Sequence, residues 1–263
     1  MNIYEMFKKV REEAPLVHHL TNWVTIYDCA NIVKVLGASP VMAHAKEEVA
    51  EMSAIASALV LNIGTLTPEF IESMKIAAKS ANSHNAPVVL DVCGAGATKL
   101  RDDMCFELLN ETRIDIIKGN ASEVARIAGE RIQTKGVDST DVGKDLIEIA
   151  RKLANERNCT VVITGETDII ADRSKAFKVE NGHEMMSHVV GTGCMAASVI
   201  GTFAAVERDL ASASAAGLAC YEIAAQLAAV DSNGPGTFKE LLFDNIFNLS
   251  KDEIEKLQKV TQI

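Results

Sequence analysis

The chain of 263 residues is 48% hydrophobic and 24% charged, which is typical of a globular protein and predicts a single α/β domain over residues 1–263. Its formal net charge is −10 and its lysines and arginines are not clustered, which argues against a nucleic-acid partner because phosphate backbones need concentrated positive charge. The six cysteines are far apart without a C-x-x-C pair, so we expect a cytoplasmic location with neither a disulfide framework nor a zinc site.

The first segments of the chain alternate helices with short apolar runs. Residues 2–13 are predicted to form a surface helix closed by Pro15. A strand over 16–21 follows, and then a helix that begins at Asn22 and ends at Gly37. This order is the usual beginning of an alternating α/β chain.

Polar side chains stand where the first strand should give way to the next helix. His18 and His19 are interpreted either as pocket residues, since ligands of open α/β sheets collect at the carboxyl ends of strands, or as histidines satisfied within the core. Asn22 is a candidate substrate contact, although a helix cap alone would explain an asparagine at this point.

A second short strand is predicted over 39–42, with a helix over 46–58 after it. Met42, at the end of this strand, is interpreted either as the wall of an apolar ligand pocket or as core filler. The run 59–63 reads as a continuous apolar strand buried on both faces, and a helix follows to about residue 85.

Two charged residues mark the ends of the next strands. Asp91 closes a strand predicted over 87–92, beside a glycine-rich turn, and is a candidate Mg²⁺ ligand because hard cations take oxygen ligands near phosphates. A turn-capping role is the alternative. After a helix over 99–109 and a strand over 114–117, Lys118 stands where its charge would meet a phosphate.

A capping-box pattern follows, with Glu123 three residues after Asn120, and this pattern alone would explain both residues. The segment 136–141 then leads into a long helix that ends at about residue 158. The next strand is predicted over 160–164.

Three strand-like runs come next, over 167–172, 175–180 and 184–190. The remainder from Thr192 is predicted to be mostly helical, with one break at 234–236. Because strands alternate with helices across most of the chain, the predicted fold is α/β, with a largely parallel, doubly wound sheet flanked by helices.

The stretch 189–198 is the strongest candidate for an anion site. Its centre is a glycine-containing turn made of Gly191, Thr192, Gly193 and Cys194. Such a turn running straight into a helix presents unpaired N–H groups and the positive end of the helix dipole, which favours phosphate. A strand-to-helix turn without a ligand is the alternative. The uncharged run 189–206 reads as a buried helix and not as a membrane span, because few of its residues are large and apolar.

Several motifs stand in order at characteristic spacing from about residue 10 to about residue 245. They are Pro15-Leu-Val-His18 with Thr21-Asn22, Gly37-Ala-Ser-Pro-Val-Met42, Ile55-Ala-Ser-Ala-Leu with Gly64-Thr-Leu-Thr67, Lys118-Gly-Asn-Ala-Ser-Glu123, Gly136-Val-Asp-Ser-Thr-Asp141, Ile163-Thr-Gly-Glu166 and Val190-Gly-Thr-Gly-Cys194. Each motif alone is a weak or moderate signal. Together they closely resemble the hydroxyethylthiazole kinase family, which has the ribokinase-like fold.

The resemblance implies a three-layer αβα enzyme that uses ATP and Mg²⁺ to phosphorylate the hydroxyethyl side chain of 4-methyl-5-(2-hydroxyethyl)thiazole, a salvage step toward thiamine. It also implies a homotrimer with the thiazole site between neighbouring subunits. Matching the motifs residue by residue, the resemblance implies that Met42 and Gly191 contact the thiazole and that Lys118 and Thr164 contact ATP. It implies that Asp91 and Glu123 lie on the Mg²⁺ side of the site. Cys194 would stand in the place of the catalytic aspartate of related sugar kinases.

Two positions depart from the family pattern. Asp91-Val-Cys stands where the family commonly has Asp-Pro-Val, so we expect a different local turn. Lys118 stands where arginine is frequent, and lysine keeps the charge but loses the two-pronged phosphate grip.

Two other functions stay open at this point. One is a different ribokinase-fold enzyme, either a hydroxymethyl-heterocycle kinase or an ATP-dependent dehydratase, and the other is a non-catalytic binder of a vitamin precursor. A cysteine at position 194, where most relatives have aspartate, distinguishes the thiazole kinase from those relatives. The same cysteine is also compatible with the non-catalytic binder. A strong base is not required of a kinase, because the protein mainly positions the groups and stabilises charge in phosphoryl transfer.

Overall fold

The computed structural model describes residues 1–130 and 139–263. Its strands are β1 (Leu16–Leu20), β2 (Ser39–Val41), β3 (Ala58–Asn62), β4 (Val88–Asp91), β5 (Ile116–Asn120), β6 (Thr160–Thr164), β7 (Asp168–Ala171), β8 (Ala176–Val179) and β9 (Val260–Gln262). Within the described residues they form one sheet in the order β2-β1-β3-β4-β5-β6-β7-β8-β9. The pairs from β2 to β6 are parallel, and those from β6 to β9 are antiparallel.

The helices fill the connections between strands, as parallel pairing requires. They are α1 (Ile3–Glu13), α2 (Ile26–Leu36), α3 (Val49–Ile55), α4 (Pro68–Ser83), α5 (Lys99–Glu111), α6 (Ala121–Ile127), α7 (Ser139–Arg157), α8 (Thr192–Ala204), α9 (Leu210–Asp231), α10 (Pro235–Asn248) and α11 (Lys251–Leu257). A short 3₁₀-helix spans Glu184–His188.

The sheet separates two hydrophobic cores. In β3, Val60 belongs to the core that also contains α1, α2, α8, α9 and α10, whereas Leu61 belongs to the core of α4, α5, α6 and α7. Val89 and Leu90 divide in the same way in β4, because successive side chains of a strand point to opposite faces. Helices therefore cover both faces, and the predicted three-layer αβα fold is confirmed.

The two most apolar helices lie inside this fold. Within α8, Gly201 packs so closely on the sheet that a Cβ at this position would collide with Val60. The helix α9 is long and apolar enough to cross a membrane, but 78% of its most apolar window is buried within the protein. Both are core helices, as predicted for the uncharged run 189–206.

The prediction of a strand over 184–190 is wrong, because Glu184–His188 forms the 3₁₀-helix and a turn follows it. The side chain of His183 accepts the N–H of Met185, and the His183 carbonyl accepts the N–H of Met186. These local bonds close the 3₁₀-turn and leave no sheet partner for the segment. The strand-like run is therefore a half-exposed turn.

The helices before and after β2 are shorter than predicted. Asn22 does not begin a helix, because its side chain accepts the N–H of Thr25 and holds a turn before α2 starts at Ile26. The predicted helix 46–58 is confirmed only over α3, since Ala58 pairs with Val17 of β1.

Two further boundaries differ from the sequence prediction. The strand β5 extends to Asn120, which pairs with Thr164, so Lys118 lies within the strand and not after it. The carboxyl-terminal part is not helical to its end, because β9 pairs with β8. Three residues are too few for a recognisable strand pattern. The predicted segment 136–141 begins outside the described residues.

Candidate active site

The carboxyl ends of three neighbouring strands hold three polar side chains side by side. Asn62 of β3 pairs in register with Asp91 of β4, and Asp91 pairs with Lys118 of β5. None of the three is more than 4% exposed. Residues in register on parallel strands present their side chains on the same face of the sheet. The fold therefore brings two predicted site residues and one unpredicted residue together.

Lys118 and Asp91 form a buried ion pair, with Nζ 3.3 Å from Oδ2. The same Nζ donates a hydrogen bond to the carbonyl of Gly193 at 2.9 Å. Burial raises the pKa of Asp91, an effect that the charge of Lys118 opposes. Burial lowers the pKa of Lys118, but the charges of Asp91 and Cys194 outweigh this effect and the pKa is raised. Lys118 thus provides a fixed positive charge from within the site.

Cys194 lies in the first turn of α8, beside this ion pair. Its sulfur accepts N–H groups from the side-chain amides of Asn22 at 3.1 Å and Asn62 at 3.3 Å. The pKa of the Cys194 thiol is lowered to about 5, chiefly by a hydrogen bond from the thiol of Cys93, with a further contribution from Asn22 and against the effect of burial. The pKa of Cys93 is raised by the same contact. The lowered pKa favours the thiolate form of Cys194, which can accept a proton.

The turn before α8 is shaped by Gly191. This residue is the N-cap of α8 and has a φ of 94°, in the left-handed region. A Cβ at this position would lie 2.6 Å from Cγ2 of Thr25. The first hydrogen bond of the helix joins the N–H of Met195 to the Gly191 carbonyl at 2.8 Å. Three N–H groups consequently have no acceptor within the helix and can bind an anion, those of Thr192, Gly193 and Cys194.

Glu123 joins the turn after β4 to the start of α6. Its Oε2 accepts the N–H of Asn120 at 2.8 Å, and Asn120 Oδ1 accepts the N–H of Glu123 at 3.0 Å, which confirms the predicted capping box. Its Oε1 accepts the N–H of Gly94 at 2.7 Å. The charge of Glu123 contributes to raising the pKa of Asp91, so the two carboxylates are electrostatic neighbours.

Asp91 and Glu123 together could hold part of the coordination shell of a metal ion. Within the described residues no group of three or more His, Cys, Asp or Glu side chains is arranged to bind a metal. Mg²⁺, however, commonly takes only one or two carboxylates and completes its shell with phosphates and water. Asp91 Oδ1 is buried and has no hydrogen-bond partner among the described residues, which fits such a ligand. Glu123 fits less directly, since both of its oxygens already accept N–H groups.

A cavity of about 1250 Å³ opens beside the amino terminus of α8. Thr192 and Gly193 line it, together with Asn120 and Thr164 at the ends of β5 and β6. The hydroxyl of Thr164 donates to the carbonyl of Gly119 at 3.4 Å. The cavity is large enough for a nucleotide, and its wall includes the predicted anion-binding turn.

Met42 lies away from this cavity, directly after the edge strand β2. The following residue is fixed by His18, whose Nε2 lies 2.7 Å from the Ala43 carbonyl. His44 then packs edge-on against Trp23 with ring centroids 4.8 Å apart. The loop of Met42 is therefore held next to the segment that contains Asn22, but Met42 does not line the cavity.

His18 and His19 are core residues, as one of the two interpretations of the sequence held. Both are at most 1% exposed, and Nδ1 of His18 lies 2.9 Å from the hydroxyl oxygen of Ser53. Burial lowers the pKa of His19 to about 4, so its ring is neutral. His18 fixes the loop after β2, whereas Nδ1 of His19 lies 3.1 Å from the Val17 carbonyl, and neither histidine lines the cavity.

Asn22 has a larger part in the site than a helix cap would have. Its Oδ1 accepts the N–H of Thr25 at 3.1 Å and the hydroxyl of Thr25 at 3.0 Å. Its Nδ2 donates to Oδ1 of Asn62 at 3.1 Å as well as to Cys194. Asn22 therefore connects the turn before α2 to the end of β3 and to the start of α8.

Two site residues were not found from the sequence. Asn62 interrupts the run 59–63, which was predicted to be continuously apolar, and a polar residue at the end of a buried strand was the available signal. No motif or pattern in the sequence marked Cys93 as a site residue. Val92, next to Cys93, stands where the family commonly has proline. Its N–H donates to the Lys118 carbonyl at 2.9 Å, a bond that proline could not make.

Comparison with known proteins agrees on one family. Residues 7–252 match the model of the hydroxyethylthiazole kinase family. The chain is 53% identical to hydroxyethylthiazole kinase from Methanosarcina mazei over 256 residues, with 97% of this chain and 98% of the relative covered. It is 49% identical to hydroxyethylthiazole kinase from Thermoanaerobacter pseudethanolicus, with 97% and 98% covered.

Solved structures point the same way. A hydroxyethylthiazole kinase structure from Pyrococcus horikoshii superimposes with a TM-score of 0.92 at 39% identity, covering 99% of this chain and 98% of that one. A Bacillus subtilis pyridoxal kinase in complex with ADP gives a TM-score of 0.60 at 15% identity, covering 80% and 91%. At that low identity the second likeness is evidence for the ribokinase-like fold alone.

Proposed function

The chain belongs to the hydroxyethylthiazole kinase family, and we propose that its site transfers the γ-phosphoryl group of ATP to the hydroxyl of 4-methyl-5-(2-hydroxyethyl)thiazole, a salvage step toward thiamine. The observation that carries the proposal is the start of α8. There, three free N–H groups of a helix terminus, the charge of Lys118 and the Cys194 thiolate occupy one end of the sheet. This is the inventory that phosphoryl transfer needs, because positioned donors stabilise charge that spreads over the phosphoryl oxygens.

We propose that ATP occupies the cavity beside α8, with Thr164 and Lys118 as its contacts. Thr164 lines the cavity, and the Gly193 backbone joins the cavity wall to the ammonium group of Lys118. The N–H groups of the turn would bind phosphate oxygens there. The hydrogen bond from Lys118 to the Gly193 carbonyl keeps that turn in place while leaving its N–H groups free.

The metal in this proposal is Mg²⁺, with Asp91 and Glu123 as the residues that would hold it. The unpartnered Oδ1 of Asp91 supports this assignment, and the proximity of Glu123 adds a second carboxylate. When bound, Mg²⁺ supplies positive charge to the phosphate oxygens. Burial raises the pKa of Asp91 to about 7, and the ion pair with Lys118 opposes this effect and favours the ionised form that a metal ligand needs.

Cys194 is proposed to accept the proton of the attacking hydroxyl. The two amide N–H donors at its sulfur favour the thiolate, which is the form that can take a proton. Asn22, Gly191 and Met42 are proposed as the contacts of the thiazole. Asn22 and Gly191 adjoin Cys194, whereas Met42 would supply an apolar wall from the loop after β2.

The proposed homotrimer is supported by an apolar surface next to the site. Four large apolar side chains on this surface are at least half exposed, those of Trp23, Val24, Tyr27 and Val190. They flank Asn22 and Gly191 in the chain, so a subunit that covered them would also close the thiazole site. Large exposed apolar patches mark interaction sites on proteins. The proposed cytoplasmic location is supported by the six cysteines, which are all free.

The test is release of ADP by the purified chain with four acceptors in turn: hydroxyethylthiazole, hydroxymethylpyrimidine, pyridoxal and ribose. We expect ADP only with hydroxyethylthiazole, matched by an equal amount of its phosphate ester in the product mixture. ADP release with another acceptor and not with hydroxyethylthiazole would replace the substrate. Binding of hydroxyethylthiazole without ADP release would favour the non-catalytic binder.

A further inference from the structure

Two carboxyl groups face each other in the wall of the cavity. Asp168 is the first residue of β7 and is 2% exposed, and Glu222 lies in α9 and is 6% exposed. Both residues line the cavity, and their carboxyl groups are within hydrogen-bonding reach of each other. Neither residue has a role in the phosphoryl transfer described above.

The two groups cannot both be ionised at low energetic cost. Two buried negative charges in contact repel strongly, and such pairs keep one proton between them. Apart from the carboxyl group of the other member of the pair, no N–H or O–H donor of the described residues reaches Oδ2 of Asp168 or Oε2 of Glu222. Burial raises the pKa of both groups, and the negative charge of Asp168 raises that of Glu222 further. Glu222 is thus the partner that carries the proton.

The pair connects α9 to the turn after β6. Oδ1 of Asp168 accepts the N–H of Gly165 at 2.9 Å, and Gly165 directly follows Thr164. Because Oδ1 is used in this way, only Oδ2 is left to accept the proton of Glu222. A chain of two hydrogen bonds therefore runs from α9 to the turn that bears the proposed nucleotide contact.

The neighbouring residue of α9 acts on another part of the cavity wall. The hydroxyl of Tyr221 donates to the carbonyl of Thr192 at 3.1 Å, at the start of α8. Consecutive residues of one helix thus fix the anion-binding turn and the Thr164–Gly165 turn. The distance between these two walls is set by α9.

We propose that Asp168 and Glu222 share one proton and act as a positioning pair that fixes the Thr164–Gly165 turn for nucleotide binding. This inference rests on the proposed function, because it takes Thr164 to be an ATP contact. Its consequence is a nucleotide site that weakens as the shared proton is lost. Loss of that proton leaves two adjacent negative charges, which push the turn away from α9.

Other charged groups near the pair are few or exposed. The ammonium group of Lys118 acts on Asp168 through its charge and favours the ionised form. The turn at Gly182 packs over Glu222, with a Cβ position 3.6 Å from the Glu222 carboxyl carbon, and brings no charge of its own. Tyr221 also lines the cavity and is fully buried, and burial raises the pKa of its hydroxyl. The other titratable residues of the cavity wall are solvent-exposed: Glu166, Glu180, His183, Glu184 and Lys259.

The first test is the ATP dissociation constant between about pH 6 and about pH 9.5, measured by calorimetry on the full chain. Wild type should bind ATP more weakly as the pH rises, because Glu222 ionises. In Glu222→Gln the amide donates to Asp168 at every pH. The ATP affinity of this variant near neutral pH should therefore stay within about threefold of wild type, and it should not weaken as the pH rises. Glu222→Leu, which offers no donor, should bind about tenfold more weakly throughout. Glu240→Gln, at an exposed position of α10, is the matched control for loss of one carboxylate.

The second test needs no nucleotide. A carboxyl group whose pKa is raised by folding takes up a proton on folding, so its contribution to the free energy of unfolding falls as the pH rises above the ordinary glutamate range. Glu222→Gln should therefore gain thermal stability relative to wild type at pH 8, with a smaller gain at pH 5. Asp168→Asn should show the same trend, because its amide removes the second charge.

An unchanged pH dependence of ATP affinity in Glu222→Gln would overturn the positioning role. Equal stability differences at pH 5 and pH 8 would overturn the shared proton. Failure of wild type to bind ATP at any pH would overturn the proposed function and the positioning role together, while the stability comparison would still decide whether the proton is shared.

Discussion

The side-chain amide of Asn62 donates to the sulfur of Cys194 at 3.3 Å and to Oδ2 of Asp91 at 2.9 Å. One neutral group thus lies between a thiolate and a carboxylate and supplies a hydrogen bond to each. Its two N–H donors reduce the cost of holding both negative groups near each other. Asn62 is therefore a hydrogen-bond donor shared by the two acidic groups of the site.

Replacing Asn62 by alanine should raise the pKa of the Cys194 thiol, because one of the two amide donors to its sulfur is lost. The measurement is the rate of alkylation by iodoacetamide as a function of pH, with the remaining cysteines distinguished by mass spectrometry. In wild type this rate should fall as the pH drops through about 5, since the thiolate is then protonated. In the variant the same fall should occur at higher pH. Asn155→Ala, at an exposed position of α7, is the control.

Replacing Cys194 separates proton transfer from packing. If the thiolate takes the hydroxyl proton, Cys194→Ala should lower kcat by roughly 10²-fold or more. Cys194→Asp should keep or raise activity, because Asn22 and Asn62 are placed to donate to a carboxylate as well as to sulfur. An inactive aspartate variant beside a nearly normal alanine variant would show that Cys194 only packs.

The variant Lys118→Ala should weaken ATP use by about 1.5–3 kcal/mol, the contribution of a charge-assisted contact. It should also destabilise the fold by about 3–5 kcal/mol, because Asp91 would be left as an unpaired buried charge. Adding Asp91→Asn should restore much of the stability but none of the ATP use. Steady-state kinetics and urea unfolding measure the two effects separately, and unchanged kinetics would remove Lys118 from the nucleotide site.

Gly191→Ala should reduce both stability and kcat. Its φ of 94° disfavours any side chain, and the new Cβ would lie 2.6 Å from Cγ2 of Thr25. We expect a loss of about 1–3 kcal/mol in unfolding free energy. The double variant with Thr25→Ser removes that methyl group but keeps the hydroxyl, so it should recover the steric part of the loss. Full recovery would mean that the backbone conformation is not strained.

Light scattering at micromolar concentration should give the mass of a trimer for the wild type. Tyr27→Glu puts a charge on the apolar surface beside the site and should shift the mass toward the monomer, with a higher KM for the thiazole. Ile55→Glu is the matched control, since Ile55 is similarly exposed but lies before the amino end of β3, away from the site. A monomer mass for the wild type would contradict the proposed assembly.

The fold was predictable from the sequence because buried parallel strands leave clear apolar runs between helices. Asp91 and Gly191 stood out for a similar reason, each at a strand end or glycine turn where ligands collect. Asn62 did not stand out, because its importance comes from its position beside Asp91 in the sheet. The sequence of one strand does not show which residue of the next strand lies beside it. The contact of Asp168 with Glu222 joins a strand to a helix in the other part of the chain, and no motif marks either residue.

The hydrogen bonds of the site also bear on how the protein folds. Asn22 and Cys194 are 172 positions apart in the chain, and Lys118 and Gly193 are 75 apart. Contacts between residues so distant in sequence require long loops to close, which makes their formation slow. Chains that have regained their helices during refolding would still lack the thiolate environment of Cys194. The alkylation rate of Cys194 is therefore a probe for the last stage of folding, when β1 and α8 meet.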